Sequence, residues 1–187
     1  FLKRNDRNKN FLEFEKYCLQ NLRKHSNQKN LIIPEVIAFK KFKKVEILVM
    51  EWIDMQNFDQ KNLGKGLGEM HLNSTESNPQ LFGYPVEGFI GLTDQKKGWE
   101  NNWIDCFLNL RIIPQLSILK SNFLDKETLD KVKEKIRSEL LNHKPINTLI
   151  HGDLWSGNVG MDKSGKGVIF DPASWWADNE VDIAMTK

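Results

Sequence analysis

Three oxygen-bearing side chains late in the chain, Asp153, Asn158 and Asp171, have the order and spacing of a phosphoryl-transfer centre. Moving a phosphoryl group from a nucleotide asks little covalent chemistry of a protein. It needs a carboxylate to orient and deprotonate the attacking hydroxyl, and hard oxygen ligands for Mg2+. Asp153 lies in a loop after the apolar run Thr148-Leu149-Ile150, Asn158 follows far enough on for that loop to turn, and Asp171 ends the run Val168-Ile169-Phe170. An amide oxygen and a carboxylate suit a cation that keeps several waters beside phosphates, which leaves Asp153 free to act as the base. Each residue alone reads as a turn former; the ordered set, with a hairpin between its parts, carries the chemistry.

Two other strings resemble phosphate loops only superficially. Gly64-Lys65-Gly66-Leu67-Gly68 and Ser164-Gly165-Lys166-Gly167 lack both the spacing and the strand-loop-helix setting of a Walker A or dinucleotide fingerprint. They read as helix glycines and a hairpin turn.

The elements that must position these groups follow from periodicity. Phe11, Phe14, Cys18, Leu19 and Leu22 recur at helical spacing from Asn10 to about Lys24, with Asn8 or Asn10 as N-cap. Leu31 to Phe39, with Pro34 at an edge or entry position, and Val45 to Ile53 read as strands. Leu63 to Leu72 returns to helical spacing, its glycines accommodating close packing. Residues 78–98 read as a long irregular connection, Trp99 to Leu119 as a helix broken near Pro114, and Lys126 to His143 as a helix capped by Asp125. A hairpin with its turn at 162–167 then leads to Asp171. Phe1 to Arg4 reads as the end of a strand under way and Glu180 to Lys187 as a helix begun, so both ends are expected to continue.

With 187 residues, 40% hydrophobic and 28% charged, the chain can bury a core, and its net charge of +2 gives no footprint for nucleic acid. The basic excess sits in the first third, densest at Lys40, Lys41, Lys43 and Lys44 around Phe42, where a solvated turn is favoured over a polyanion patch. Cys18 and Cys106 stand in apolar stretches without metal-like spacing, which fits a reducing cytoplasm. No run is long and apolar enough for a membrane span.

The segments His151-Gly152-Asp153-Leu154-Trp155-Ser156-Gly157-Asn158-Val159 and Phe170-Asp171-Pro172-Ala173-Ser174 resemble the catalytic and metal loops of the fructosamine/ketosamine 3-kinase family. The Trp-Ser-Gly insert separates them from generic aminoglycoside or choline kinases. The likeness runs upstream through Phe89-Ile90-Gly91, Trp99, Trp103 and Arg111-Ile112-Ile113-Pro114-Gln115-Leu116, covering nearly the whole chain. It implies an α+β, protein-kinase-like two-lobed fold: a truncated N-terminal β lobe over 1–53 and a mostly helical C-terminal lobe over 54–187, lacking its last helices.

By the same resemblance, Lys3 matches the lysine that holds nucleotide phosphates and Glu15 its helix partner. Met50, Glu51, Trp52 and Ile53 fall at the hinge that takes the adenine edge. Asp182, with His151, supports the catalytic loop, and Trp155 and Trp175 offer aromatic faces to a sugar. The implied function is ATP- and Mg2+-dependent phosphorylation of a ketosamine 3-hydroxyl. A related kinase for choline, an aminoglycoside or a free sugar, and an inactive binding module, remain alternatives. Asp94-Gln95-Lys96-Lys97 stands where the family has Pro-Gln-Pro-Asn, Trp175-Trp176-Ala177-Asp178 departs from the family pattern, and no glycine-rich turn precedes Lys3.

Overall fold

A computed structural model describes residues 1–56, 60–118 and 125–186. It is an α+β structure. The Phe11–His25 helix buries Leu12, Phe14, Glu15, Cys18, Leu19 and Leu22 on one stripe. Its stripe lies against a three-stranded antiparallel sheet ordered Leu2–Asn5, Val45–Met50, Val36–Phe42. Fully buried Leu19, Leu22, Ile33 and Leu48 stabilise this layer by about 1.5–3 kcal/mol each.

The helix start departs from expectation. Asn10 occupies the cap position without a capping side-chain bond, because its amide oxygen accepts from Lys41 Nζ instead (2.7 Å). The buried carboxylate of Glu46, on the adjacent strand, accepts from the Leu12 amide at 3.1 Å. A negative group at the positive helix end serves as a remote cap.

Pro34 interrupts the expected second strand, leaving Leu31–Ile32 and Val36–Phe42. The short Leu31–Ile32 strand pairs in parallel with Gly167–Ile169, which pairs antiparallel with Val159–Asp162, itself flanked by Met55–Gln56. A mixed sheet thus ties residues before and after the expected hinge to the hairpin that ends near Asp171. The Gln60–Thr75 helix packs over it. Of its three glycines only Gly66 is tightly placed: a β-carbon there would lie 2.6 Å from Leu31 Cβ, whereas Gly64 and Gly68 face open space.

Residues 78–98 are not irregular. Phe82–Tyr84 and Gly98–Glu100 join Asn147–Ile150 and Trp175–Asp178 in a four-stranded sheet, and Gly88–Ile90 pairs with Thr93–Gln95. Trp99 accordingly lies in a strand, and the following helix begins at Trp103. That helix is α-helical over Trp103–Cys106, π-helical over Phe107–Ile112 and α-helical again over Ile113–Ile118. Pro114, which cannot donate to the Leu110 carbonyl, is carried by the widened turn before it. The expected break at Pro114 is therefore a π-bulge upstream. The part of this helix expected at Leu119 lies outside the described residues.

Asp125 caps the Lys126–Leu140 helix by accepting from the Thr128 amide at 2.7 Å. Its apolar stripe is only half-buried. No helix among the described residues is long and apolar enough to cross a membrane.

Candidate active site

The hairpin register builds the site. Val159 faces Ile169 across the turn, and one step beyond, the Phe170 amide donates to the Asn158 carbonyl at 3.1 Å. Asn158 and Asp171 are thereby held at the same end of the hairpin. Opposite them, the Ala173 amide donates to the His151 carbonyl at 2.9 Å, joining the loop that carries Asp153 to the segment after Asp171. Gly152 makes that approach possible. Its φ is +82°, and a β-carbon would lie 2.2 Å from the Ala173 carbonyl oxygen, so both conformation and space require glycine.

The Asn158 amide nitrogen donates to the Asp153 carboxylate (3.0 Å) and to the Asp153 carbonyl (2.8 Å). Because both partners are acceptors, the amide orientation is settled. Asn158 Oδ1 is left without a hydrogen-bond partner among the described residues, and it is absent from the buried unpartnered atoms. On Asp171, Oδ1 takes Lys3 Nζ at 2.5 Å, and Oδ2 has no such partner among the described residues. Its side chain is 43% exposed. Two hard oxygens therefore stand open beside Asp153, and this donor set fits Mg2+.

Burial, reinforced by the charge of Asp171, raises the Asp153 carboxyl above its usual range, against the opposing effects of His151 and Asn158. A raised pKa suits a general base. Lys3 Nζ also bonds Glu15 Oε1 at 2.7 Å. Burial works against its charge, but Glu15 and Asp171 outweigh it and the lysine's pKa is raised. Glu15 reaches Lys3 because it lies on the buried stripe of its helix, 8% exposed.

Asp182 braces the loop from below. Fully buried, it accepts from the His151 amide (2.8 Å), the Gly152 amide (2.8 Å) and the His71 ring (2.9 Å). Nothing local in the sequence around His71 marks a partner so distant along the chain. His151 is equally buried, its Nε2 paired with the Phe170 carbonyl at 2.9 Å and its Nδ1 accepting from the Asp153 amide at 3.3 Å. Those partners select the neutral Nε2–H tautomer.

Burial lowers the pKa of His151 below 6.5, against the pull of Asp182 and the Phe170 carbonyl. The unfolded chain therefore takes up this proton first, and stability falls as pH drops below about 6.5. Urea unfolding at pH 7.5 and 5.5 is expected to show a smaller acid loss in His151→Asn than in the wild type. An unchanged difference would remove His151 from this role.

The remaining expected residues are distributed as follows. Met50 is buried, and its backbone is already engaged: its amide donates to the Phe1 carbonyl (2.9 Å) and its carbonyl accepts from the Phe1 amine (2.6 Å). The Glu51 amide donates to the Glu35 carbonyl at 2.8 Å. The backbone open to a ligand thus begins at the Glu51 carbonyl and continues through Trp52 and Ile53. Trp52 is 67% exposed.

Trp155 folds over Gly157, where a β-carbon would meet its ring at 2.2 Å; this is the physical reason for Trp-Ser-Gly. The Trp155 ring borders an apolar groove of about 540 Å³ with Leu63, Leu67, Leu72 and Ile183. That groove does not include Asp153, Asn158 or Asp171. Trp175 differs from expectation. It is 4% exposed, stacked on Trp103 at 5.6 Å and covered by the Arg111 guanidinium at 3.9 Å, so its face is not free for a sugar.

Known proteins resemble this chain in sequence and in fold. The fructosamine kinase family profile matches residues 1–187. A probable ketoamine kinase of Vibrio parahaemolyticus serotype O3:K6 is 32% identical over 194 residues, covering 100% of this chain and 64% of that protein. One from Klebsiella aerogenes is 34% identical over 163 residues, covering 86% and 56%. The crystal structure of a "putative fructosamine-3-kinase" from Haemophilus somnus 129PT superposes with TM-score 0.83 at 25% identity, over 98% of this chain and 61% of that one. A second, from Thermobifida fusca, gives 0.77 at 24% identity over 97% and 61%, a likeness of fold. The chain thus has the α+β kinase-like fold and spans less than two thirds of these relatives. With that profile matched over residues 1–187, this chain belongs to the fructosamine kinase family.

Proposed function

We propose that this chain carries the catalytic centre of an ATP-dependent kinase that phosphorylates the 3-hydroxyl of ketosamines, fructosamine or ribulosamine borne on amines or protein lysines. The carrying observation is the Asn158 amide clamped onto Asp153 with Asn158 Oδ1 and Asp171 Oδ2 left open. In this reading Asp153 aligns the acceptor hydroxyl and takes its proton as that oxygen bonds to the γ-phosphorus and the bond from the γ-phosphorus to the β–γ bridging oxygen breaks, releasing ADP. Asn158 and Asp171 are the residues that would hold Mg2+, which would supply charge neutralisation at the phosphates. Lys3, steadied by Glu15, turns its ammonium to the α/β-phosphates, exchanging its contact with Asp171 for them. The Glu51 carbonyl and the Trp52–Ile53 backbone are the groups available to an adenine edge. Residues 1–53 and 54–187 act as the two lobes, and a ketosamine phosphate unstable enough to decompose would make the reaction a cytoplasmic protein-deglycation step.

The test is acceptor-dependent ADP release by the full-length protein with ATP and Mg2+, comparing a fructosamine, choline and an aminoglycoside. Fructosamine turnover with phosphorus on O3, read by 31P NMR, is expected. Turnover of choline or the aminoglycoside alone would overturn the ketosamine assignment. Nucleotide binding with no turnover of any acceptor would make the module a binder.

A further inference from the structure

The hairpin of Gly88–Ile90 and Thr93–Gln95 stands apart: among the described residues it joins no larger sheet. Two strands by themselves are marginal in water, so what the hairpin packs on explains its presence. It packs on the Phe11–His25 helix. The half-buried Phe89 ring lies 4.5 Å from the Phe11 ring, centroid to centroid, and meets Phe14 edge-on at 5.8 Å, the tilted arrangements that aromatic pairs prefer. Gly88 permits the approach, since a β-carbon there would come 2.7 Å from the Phe14 ring. Lys9 and Asp94 add an ion pair at 2.5 Å. That pair is exposed and contributes little, so the rings carry the contact.

The helix gripped in this way is the one that carries Glu15, the residue after Phe14 and buried like it. Glu15 bonds Lys3 at 2.7 Å, and Lys3 reaches Asp171 at 2.5 Å. Packing on its own sheet fixes the helix, and so Glu15, to the strand of Lys3. It does not fix that pair to Asp171, which follows the distant Gly167–Ile169 strand. Ties across this divide occur at the C-terminal end of the helix, where the His25 carbonyl accepts from Asn73 at 2.9 Å and the nearby Leu31–Ile32 strand pairs with Gly167–Ile169. The hairpin grips the opposite end, about 20 Å away along a helix of this length. Held at one end only, the helix is free to pivot; held at both, Glu15 is fixed between the two grips.

Resting on the kinase reading, we propose that Phe89 is a positioning residue for nucleotide binding. Its ring latches the N-terminal end of the Glu15 helix to the part of the chain that carries Asp171, and so keeps Lys3 beside the metal and phosphate groups. Without the ring, the helix end lifts and Glu15 no longer steadies Lys3. The acceptor side, built on the loop of Asp153, keeps its geometry.

The experiment measures kcat and the KM values for ATP and for a fructosamine in the full-length protein carrying Phe89→Ala, Glu15→Gln or both. Phe89→Ala is expected to raise KM for ATP about tenfold and KM for the fructosamine less than about twofold. Phe89→Leu, which refills part of the space, is expected to raise KM for ATP only about threefold. In the Glu15→Gln background the same truncation is expected to change KM for ATP less than about twofold, because the carboxylate it acts through is gone. A purely structural ring would lower kcat through the active fraction and leave both KM values alone, and that pattern overturns the inference. A rise in KM for ATP that is as large with Glu15→Gln as without it also overturns it, by placing Phe89 on another route to the nucleotide. If Phe89→Ala does not fold, Phe89→Leu alone and with Glu15→Gln decides by the same comparison. No turnover of any acceptor by the wild type sinks the kinase reading and this inference with it, whereas an active wild type with an unmoved KM for ATP in the folded variants sinks the latch alone.

Discussion

Asp153→Asn is expected to lower the rate of phosphoryl transfer by roughly 10²–10⁴, the range in which a positioned general base contributes, while leaving the fold in place. The amide keeps the size of the carboxylate but cannot accept the hydroxyl proton. Its carbonyl oxygen can still accept from the Asn158 amide, as Asp153 Oδ2 now does at 3.0 Å, which leaves an N–H donor where the second carboxylate oxygen stood. Single-turnover kinetics with fructosamine, alongside nucleotide affinity by calorimetry, check this. A drop in turnover with ATP affinity held within a few fold is the expected pattern. Residual activity above about a tenth of wild type would deny Asp153 the role of base.

Asp182→Ala is expected to be the most damaging change to stability, by on the order of 3–5 kcal/mol, the range for breaking a buried charged network. The variant strands the His151 and Gly152 amides and the His71 ring, all of which now meet one carboxylate. Against a total stability of about 5–15 kcal/mol, much of the protein would unfold near physiological temperature. Burial alone would raise the Asp182 pKa, but the His71 hydrogen bond, the neighbouring His71 and His151 rings and the Gly152 amide outweigh it and hold the group below 3.8. Its contribution is therefore present above about 3.8 and disappears as pH falls through the folded value. Denaturant midpoints at pH 7 read the effect, and a shift equivalent to less than about 1 kcal/mol, ordinary for a surface change, would mean the loop is held by other contacts.

Much of the site could be read along the chain because its parts are local. The loop that carries Asp153, the hairpin turn and Asp171 occupy one short stretch, and hairpin pairing alone brings Asn158 and Asp171 together. The Phe11–His25 helix declared its buried face through Leu and Phe spacing, while Glu15 on that face was singled out only through the family resemblance.

What stayed hidden depends on distant contacts. Strands of three residues among Gly and Pro, from Phe82 to Glu100, carry too few alternations to stand out, and they exist because neighbouring strands complete their hydrogen bonds. Glu46 capping a helix across the sheet, His71 meeting Asp182, and the π-helical turn before Pro114 each arise from a partner far away or from strain shared over several residues. Trp175 shows the same limit: its position beside the metal loop suggested a sugar platform, while packing against Trp103 and Arg111 encloses it.

The most direct test is a crystal structure of the full-length protein with Mg2+ and a non-hydrolysable ATP analogue. The account predicts a metal about 2.0–2.1 Å from Asn158 Oδ1 and from an Asp171 oxygen, with the γ-phosphate facing Asp153. A cation bound instead beside His143, Asp178 and Glu180, whose ligand atoms lie within 4.8 Å of one another, with the nucleotide away from Asn158 and Asp171, would contradict it.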